Sequence, residues 1–208
     1  MQPSPNDLSP YADHAAALIN QNCNLWHLSP AANAVERTVV RWFAGLFGLP
    51  ATTGGIVTSG GSMANFVGLT AARDHALGDR ARTDGLQGGG PPLVLYTSEE
   101  THSSVDKAVS MLGLGTRHLR KLPTDARFRL RLDALAEALA SDRAAGLRPF
   151  CVVANAGAVT TGAIDPIEDI AALCREQGLW LHVDGAYGAL TALSPRFRDA
   201  MAPIGLAD

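Results

Sequence analysis

Apolar positions recur along this chain in two alternating periods, one helical and one extended. After Ser29-Pro30, the residues Val35, Val39, Trp42, Leu46 and Phe47 fall at helical spacing, which predicts a long helix closed by Gly48-Leu49-Pro50. Ala15 to Asn20 predicts a shorter helix before it, behind an irregular Pro- and Ser-rich opening over residues 1–12. Gly55-Ile56-Val57-Thr58 reads as a short strand that passes through Ser59-Gly60-Gly61-Ser62 into a helix from Met63 to about Leu77. Leu93-Val94-Leu95-Tyr96 predicts a strand, followed by a helix carrying Val105, Ala108 and Leu112. Arg117 to Leu122 predicts another strand, Leu132 to Ala140 a helix, and Phe150-Cys151-Val152-Val153-Ala154 a buried strand. Asp165 is then expected to cap the next helix, with Pro166 at its first position and Glu168 completing a capping box. That helix ends near Gln177-Gly178 and feeds a last strand that stops at Asp184. Strands and helices alternate with short connections and no internal repeat, which predicts an α/β fold with a mostly parallel sheet flanked by helices.

Composition narrows the picture. A chain of 208 residues that is 47% hydrophobic can bury the core of one large domain. The expected division is a lead-in over residues 1–30 and a core domain over 31–208. Net charge is −3, with acids and bases interspersed, so nothing points to nucleic acid or a membrane surface as partner. Charged residues reach only 18%, below the common share of about 25%, which fits either a face covered by a partner or the Ala-rich bias of the chain. Cys23, Cys151 and Cys174 have neither zinc-ligand nor redox-motif spacing and read as reduced thiols. The opening Met1-Gln2-Pro3-Ser4-Pro5 is not expected to be a signal peptide, and no apolar run approaches the roughly 20 residues of a membrane span. A cytoplasmic protein is expected.

Candidate chemistry collects at the ends of the predicted strands. Leu179 to Gly188 opens as an apolar strand, stops at the Asp184 carboxylate and continues in small residues. In open α/β sheets ligands lie beyond the carboxyl ends of strands, although an Asp there also suits a turn or a cap. Ser59-Gly60-Gly61-Ser62 leads into a helix, so free backbone N–H groups could face an anion; a plain tight turn fits equally well. It is neither a Walker loop nor G-x-G-x-x-G. His102 stands where a strand gives way to a helix, as a capping residue or a functional one. Trp26 and His27 either line a site or pack a lead-in to the long helix. Taken together, an anion cradle, an imidazole, a hydroxyl-rich loop over Asn155 to Gly162 and a carboxylate suit a planar phosphorylated heterocycle. The phosphate would rest on the helix start and the carboxylate would keep a ring nitrogen protonated. Pyridoxal phosphate has that shape.

Four stretches carry a resemblance: Thr58-Ser59-Gly60-Gly61-Ser62-Met63-Ala64-Asn65, Thr101-His102-Ser103-Ser104-Val105, Ala156-Gly157 through Gly162-Ala163-Ile164-Asp165-Pro166, and His182-Val183-Asp184-Gly185-Ala186-Tyr187-Gly188. From about Asn20 to Asp208 the chain resembles the group II pyridoxal-phosphate-dependent amino-acid decarboxylases, the family of aromatic-L-amino-acid, tyrosine, histidine and glutamate decarboxylases. The resemblance implies an aspartate-aminotransferase-like fold, of which this chain would be the incomplete large, cofactor-binding domain. It also implies a homodimer with sites at the subunit boundary and an L-amino acid as substrate. Gly61 and Ser62 would bind the phosphate, and His102 would stack on the ring and act in catalysis. Asp184 would pair with the ring nitrogen, and Ala186 would pack on the other face. Ala158 stands where the family often has Thr, so that contact is lost or passes to Thr160 or Thr161. Gly185 stands where Ala is usual. The family's cofactor-anchoring lysine follows in a His-Lys pair beyond the position of Asp208, and this chain has only Lys107 and Lys121. The 208 residues alone are therefore expected to be inactive. A non-catalytic, truncated or degenerate cofactor-binding fragment is the alternative, as is another enzyme of the same fold, an aminotransferase or a carbon–carbon lyase. Asn22 and Asn24, beside Trp26 and His27, would favour a polar or mixed substrate, unless both amides cap backbone.

Overall fold

The computed structural model describes residues 6–208, so the Pro-rich start at residues 1–5 lies outside the described part. Helix α1, Ser9–Ile19, begins inside the stretch expected to be irregular. The Asn6 side chain explains the early start, because its Oδ1 accepts from the backbone N–H of Leu8 and Ser9, both at 2.9 Å. Helix α2, Pro30–Phe47, has the predicted proline at its start and Gly48 at its close. Helix α3 is Gly61–Leu77, and a single turn, α4, follows at Arg80–Thr83.

Four strands form the sheet: β1 Leu93–Ser98, β2 Leu119–Leu122, β3 Arg148–Asn155 and β4 Trp180–Asp184. Their order is β2-β1-β3-β4 and every pairing is parallel. Helices α5 (Ser104–Met111), α6 (Leu132–Ala144) and α7 (Ile167–Gln177) make the crossovers, and a short turn, α8, lies at Arg198–Met201. The central strand β1 is buried throughout and opens with the apolar run Leu93 to Tyr96, as suits a strand covered on both faces. On one face Val94, Tyr96, Val152 and Ala154 pack with Leu135 and Leu139 of α6 and Ile170 of α7. On the other, Leu95, Cys151 and Val153 pack with Leu69 of α3 and Val105 and Val109 of α5. The expected α/β class is thus observed, with helices on both sides of a parallel sheet.

Two local expectations are corrected. Gly55 to Thr58 is not a strand: no chain segment pairs with it among the described residues, and Ile56 and Val57 are 60% and 62% exposed. A strand needs a ladder partner, and here the Val57 N–H donates instead to Glu36 Oε1 at 2.8 Å. Asp165 does not cap α7, which starts at Ile167 after Pro166 with no side-chain cap. Its buried carboxylate accepts from the backbone N–H of Leu130 (2.7 Å) and of Asn155 (2.7 Å), and from Asn155 Nδ2 (3.0 Å). Burial pushes this carboxyl above its ordinary range, and those donors pull it part of the way back. Asp165 therefore ties the end of β3 to the segment before α6. Smaller differences lie at element ends. Arg117 belongs to a 3-10 turn ahead of β2, and α6 runs to Ala144, past the expected Ala140.

Under the sheet, Asp142 accepts from Tyr96 Oη at 2.7 Å and from Arg120 Nε and Nη2 at 2.9 and 2.6 Å. Burial alone would raise the Asp142 carboxyl; the hydrogen bonds from Arg120 and Tyr96 outweigh it and hold the group below the usual range. Burial, followed by the bond to Asp142, pushes the Tyr96 phenol up.

Candidate cofactor-binding site

The carboxyl ends of β3 and β4 stand side by side, with Asn155 in register with Asp184. The Ala156 N–H continues the ladder by donating to the Asp184 carbonyl at 2.9 Å. Just beyond, the backbone at Gly157 and Gly188 closes to a distance that excludes side chains. A Cβ on Gly157, whose φ is +93°, would stand 2.8 Å from Gly188 Cα. This contact sets the rim of a cavity of about 270 Å³. Gly61, Ser62, His102, Asp184 and Ala186 all line it, so every residue that the motifs single out for a site role reaches one space.

The start of α3 supplies backbone donors. Met63 and Ala64 N–H both bond to the Gly60 carbonyl at 3.0 Å, and no side chain caps the helix. The N–H groups of Gly61 and Ser62 are thereby left at the positive end of a 17-residue helix. The expected backbone donors at a helix start are present, although they follow an extended, exposed segment rather than a sheet strand.

Asp184 is fixed at both oxygens. Its Oδ1 accepts from the Ala186 N–H at 3.1 Å, and its Oδ2 accepts from Asn65 Nδ2 at 2.8 Å. Asn65 is 4% exposed, and its Nδ2 also donates to Ser104 Oγ at 2.9 Å. Its Oδ1 meets His182 Nε2 at 2.8 Å. Burial pushes the His182 imidazole below its ordinary range, which the nearby Asp184 charge only partly opposes. His102 turns Nδ1 onto Ser104, 2.9 Å from Oγ and 3.2 Å from the backbone N–H. Nε2 is left as its free ring nitrogen.

Asn65, Ser104 and His182 belong to the quoted motifs but carry no role in the sequence reading. A signal for Asn65 does exist. It shares the buried face of α3 with Leu69 and Ala72, four and seven positions on, where an amide is out of pattern. Asn155, Val159 and Tyr187 also line the cavity. Thr160 and Thr161 are exposed and do not line it, so neither replaces the threonine lost at Ala158; Thr161 Oγ instead accepts from the Ala163 N–H at 3.3 Å. Trp26 lies under the Arg37 guanidinium at 5.6 Å, and Asn22 Oδ1 accepts from the Asn24 N–H at 3.0 Å, a backbone-capping role. Neither lines this cavity. Among the described residues no group of three His, Cys, Asp or Glu side chains could hold a metal, and no helix is long and apolar enough to cross a membrane.

Residues 5–208 match the model of the pyridoxal-dependent decarboxylase conserved domain. An aromatic-L-amino-acid decarboxylase of Bacillus atrophaeus is 36% identical over 195 residues, 93% of this chain and 39% of its own length. The glutamate decarboxylase domain of a diaminobutyrate-pyruvate transaminase and L-2,4-diaminobutyrate decarboxylase from Vibrio parahaemolyticus superposes with a TM-score of 0.92 at 32% identity. It covers 98% of this chain and 45% of that one. The Oryza sativa TDC solved with PLP and tryptamine gives a TM-score of 0.88 at 32% identity, covering 99% of this chain and 43% of that one. The chain thus spans about two fifths of the length of the curated relatives it matches.

Proposed function

We infer, from the premise that this chain belongs to the pyridoxal-dependent decarboxylase family, that its residues form the pyridoxal-phosphate-binding core of an L-amino-acid carboxy-lyase. The observation that carries the reading is the convergence of two uncapped helix N–H groups and a doubly anchored carboxylate on one cavity. The donor set fits the cofactor. The Gly61 and Ser62 N–H groups suit a phosphate at a helix start, and the Asp184 carboxylate suits a protonated ring nitrogen. The His102 imidazole and the Ala186 methyl suit the two faces of a flat ring. When bound, pyridoxal phosphate supplies an electron sink for the pair left behind as the α-carboxylate departs as CO2.

The remaining steps belong to the chain. Asp184 would hold a proton at the ring nitrogen, and its carboxylate is fixed in position because the Ala186 N–H bonds one oxygen and Asn65 Nδ2 the other. His102 offers Nε2 to the cavity while Nδ1 is held by Ser104. The Gly157–Gly188 contact keeps the rim free of side chains that would occupy the space of a ring.

Neither lysine reaches the cavity. Lys107 is exposed on α5, and Lys121 pairs with Asp106 at 2.9 Å on the edge strand β2. On this reading the 208 residues bind cofactor without turnover, and catalysis belongs to the full-length protein. A homodimer is proposed as well. The exposed apolar residues Tyr11, Leu18, Val35 and Trp42 on α1 and α2 suit a second copy of the chain as their cover. Cytoplasmic operation is in keeping with three free cysteines.

The test is a pyridoxal phosphate titration of the 208-residue chain, followed by tryptophan fluorescence and calorimetry, beside an Asp184→Ala variant. Saturable binding that weakens by at least tenfold in the variant supports the reading. Equal affinity in both, or no saturable binding, refutes it.

A further inference from the structure

We propose that Asn65 is a positioning residue that sets both the aim of the Asp184 carboxylate and the tautomer of His102 through a single side chain. The proposal rests on the reading of the cavity as a pyridoxal phosphate site. It follows from a count of donors and acceptors. A primary amide has two N–H donors and a carbonyl acceptor, and Asn65 uses all three, on two elements. They reach Asp184 and His182 on β4, and Ser104 at the start of α5.

The polarity of this network has one solution. An ionised carboxylate only accepts, so the amide nitrogen must face Asp184 Oδ2. The amide oxygen then faces His182, whose Nε2 must carry the ring proton. The second amide N–H points at Ser104 Oγ and takes one of its lone pairs, and because the Ser104 backbone N–H makes His102 Nδ1 an acceptor, the hydroxyl sends its own proton to that nitrogen. The Ser104 N–H donates to the same nitrogen. With two donors aimed at Nδ1, the neutral His102 ring carries its proton on Nε2. Flipping the Asn65 amide would set its carbonyl against the Asp184 carboxylate and undo every link.

A buried asparagine that merely fills space would not order groups on two sides of a cavity. Removal of this amide has two separable consequences. Asp184 keeps only the Ala186 N–H on Oδ1, and its Oδ2 is free to turn to water. The Ser104 hydroxyl loses the donor that fixes its direction, and the His102 tautomer relaxes.

Two measurements read these consequences apart. The first uses the cofactor-free chain labelled with 15N-histidine and reads the ring nitrogens by long-range proton–nitrogen correlation at pH 8. Wild type should give His102 as the Nε2–H tautomer, and Asn65→Ala should give a mixture. Ser104→Ala should change the His102 tautomer in the same way. The second compares the dissociation constants of pyridoxal phosphate and of its deaza analogue, in which a C–H replaces the ring nitrogen. Asn65→Ala should weaken the natural cofactor by about tenfold, the size of one charge-assisted hydrogen bond, and the analogue by less than about twofold. Should Asn65→Ala fail to fold, Asn65→Ser carries the same tests. An Nδ1–H tautomer in wild type, or an unchanged tautomer and unchanged nitrogen discrimination in the variant, would overturn the proposal. No saturable binding by wild type would refute the cofactor reading and the Asp184 half with it, while the cofactor-free spectra still decide the His102 half.

Discussion

Gly68 of α3 and His182 of β4 are packed so closely that a Cβ on Gly68 would lie 2.5 Å from His182 Cε1. The missing side chain lets the imidazole lie against the helix and present Nε2 to Asn65 one turn earlier. Two opposed magnitudes meet at this position. Alanine in a helix interior gains up to about 1 kcal/mol over glycine. Overpacking a tight contact costs about 1–3 kcal/mol. Gly68→Ala is therefore expected to lower stability by about 1 kcal/mol in urea unfolding, and the loss should vanish in a His182→Ala background. A stabilised Gly68→Ala chain would show that the ring yields freely.

His182 also gives the fold a pH dependence. Its folded-state affinity for protons is depressed by burial, so the unfolded chain takes up a proton near pH 6.5 while the folded chain does not. Stability contributed by the neutral ring is complete above pH 6.5 and falls as the pH drops below it. The slope from this group is at most about 1.4 kcal/mol per pH unit. Urea midpoints measured from pH 7.5 to 5 should fall more steeply for wild type than for His182→Asn. Parallel curves would mean that the ring titrates alike in both states.

The three thiols should separate by burial. Cys174 is pushed up to about 12 by burial, and Cys151 well above its ordinary range for the same reason, whereas Cys23 is exposed. Since the thiolate is the reactive form, an aromatic disulfide reagent at pH 8 should titrate one thiol rapidly in the native chain and three in denaturant. A second fast thiol in the native chain would mean that a core strand or α7 opens locally.

Asp142 anchors two donors under the sheet, so losing it should cost more than losing either one. Asp142→Ala strands the Tyr96 hydroxyl and removes the carboxylate partner of the partly exposed Arg120, which keeps its bond to the Arg117 carbonyl, for an expected loss of about 2–3 kcal/mol. Tyr96→Phe removes one hydrogen bond and should cost about 1 kcal/mol. Chemical denaturation of the two variants checks the ranking, and near-equal losses would contradict it.

The sheet and its flanking helices are legible because β1 opens with the apolar run Leu93 to Tyr96, β3 contains the apolar run Phe150 to Ala154, and α2 and α7 end at glycines, features set by local sequence. Gly55 to Thr58 misled because an apolar tetrapeptide looks the same whether or not a neighbour pairs with it. Asp165 misled for a related reason: its Asp-Pro context is that of a cap, but its carboxylate answers to Leu130 and Asn155, far away in the chain. Gly61, Ser62, His102, Asp184 and Ala186 could be named from their motifs, and all five line the cavity. Asn65 stands out only as an amide on an apolar helix face; its partners lie 39, 117 and 119 positions away, and no local pattern encodes them.

Those separations also bear on how the protein is made. Synthesis from Asn65 to Asp184 spans 119 residues, roughly 6–24 s at about 5–20 residues per second. For that interval α3 has no β4 to dock against, and the Asn65 amide must stay hydrated even after β1, α5 and β3 have come to cover Leu69 and Ala72 on the same helix. The nascent chain thus carries a half-built pocket wall until β4 emerges. An apolar residue at position 65 would make that waiting helix stickier on the ribosome.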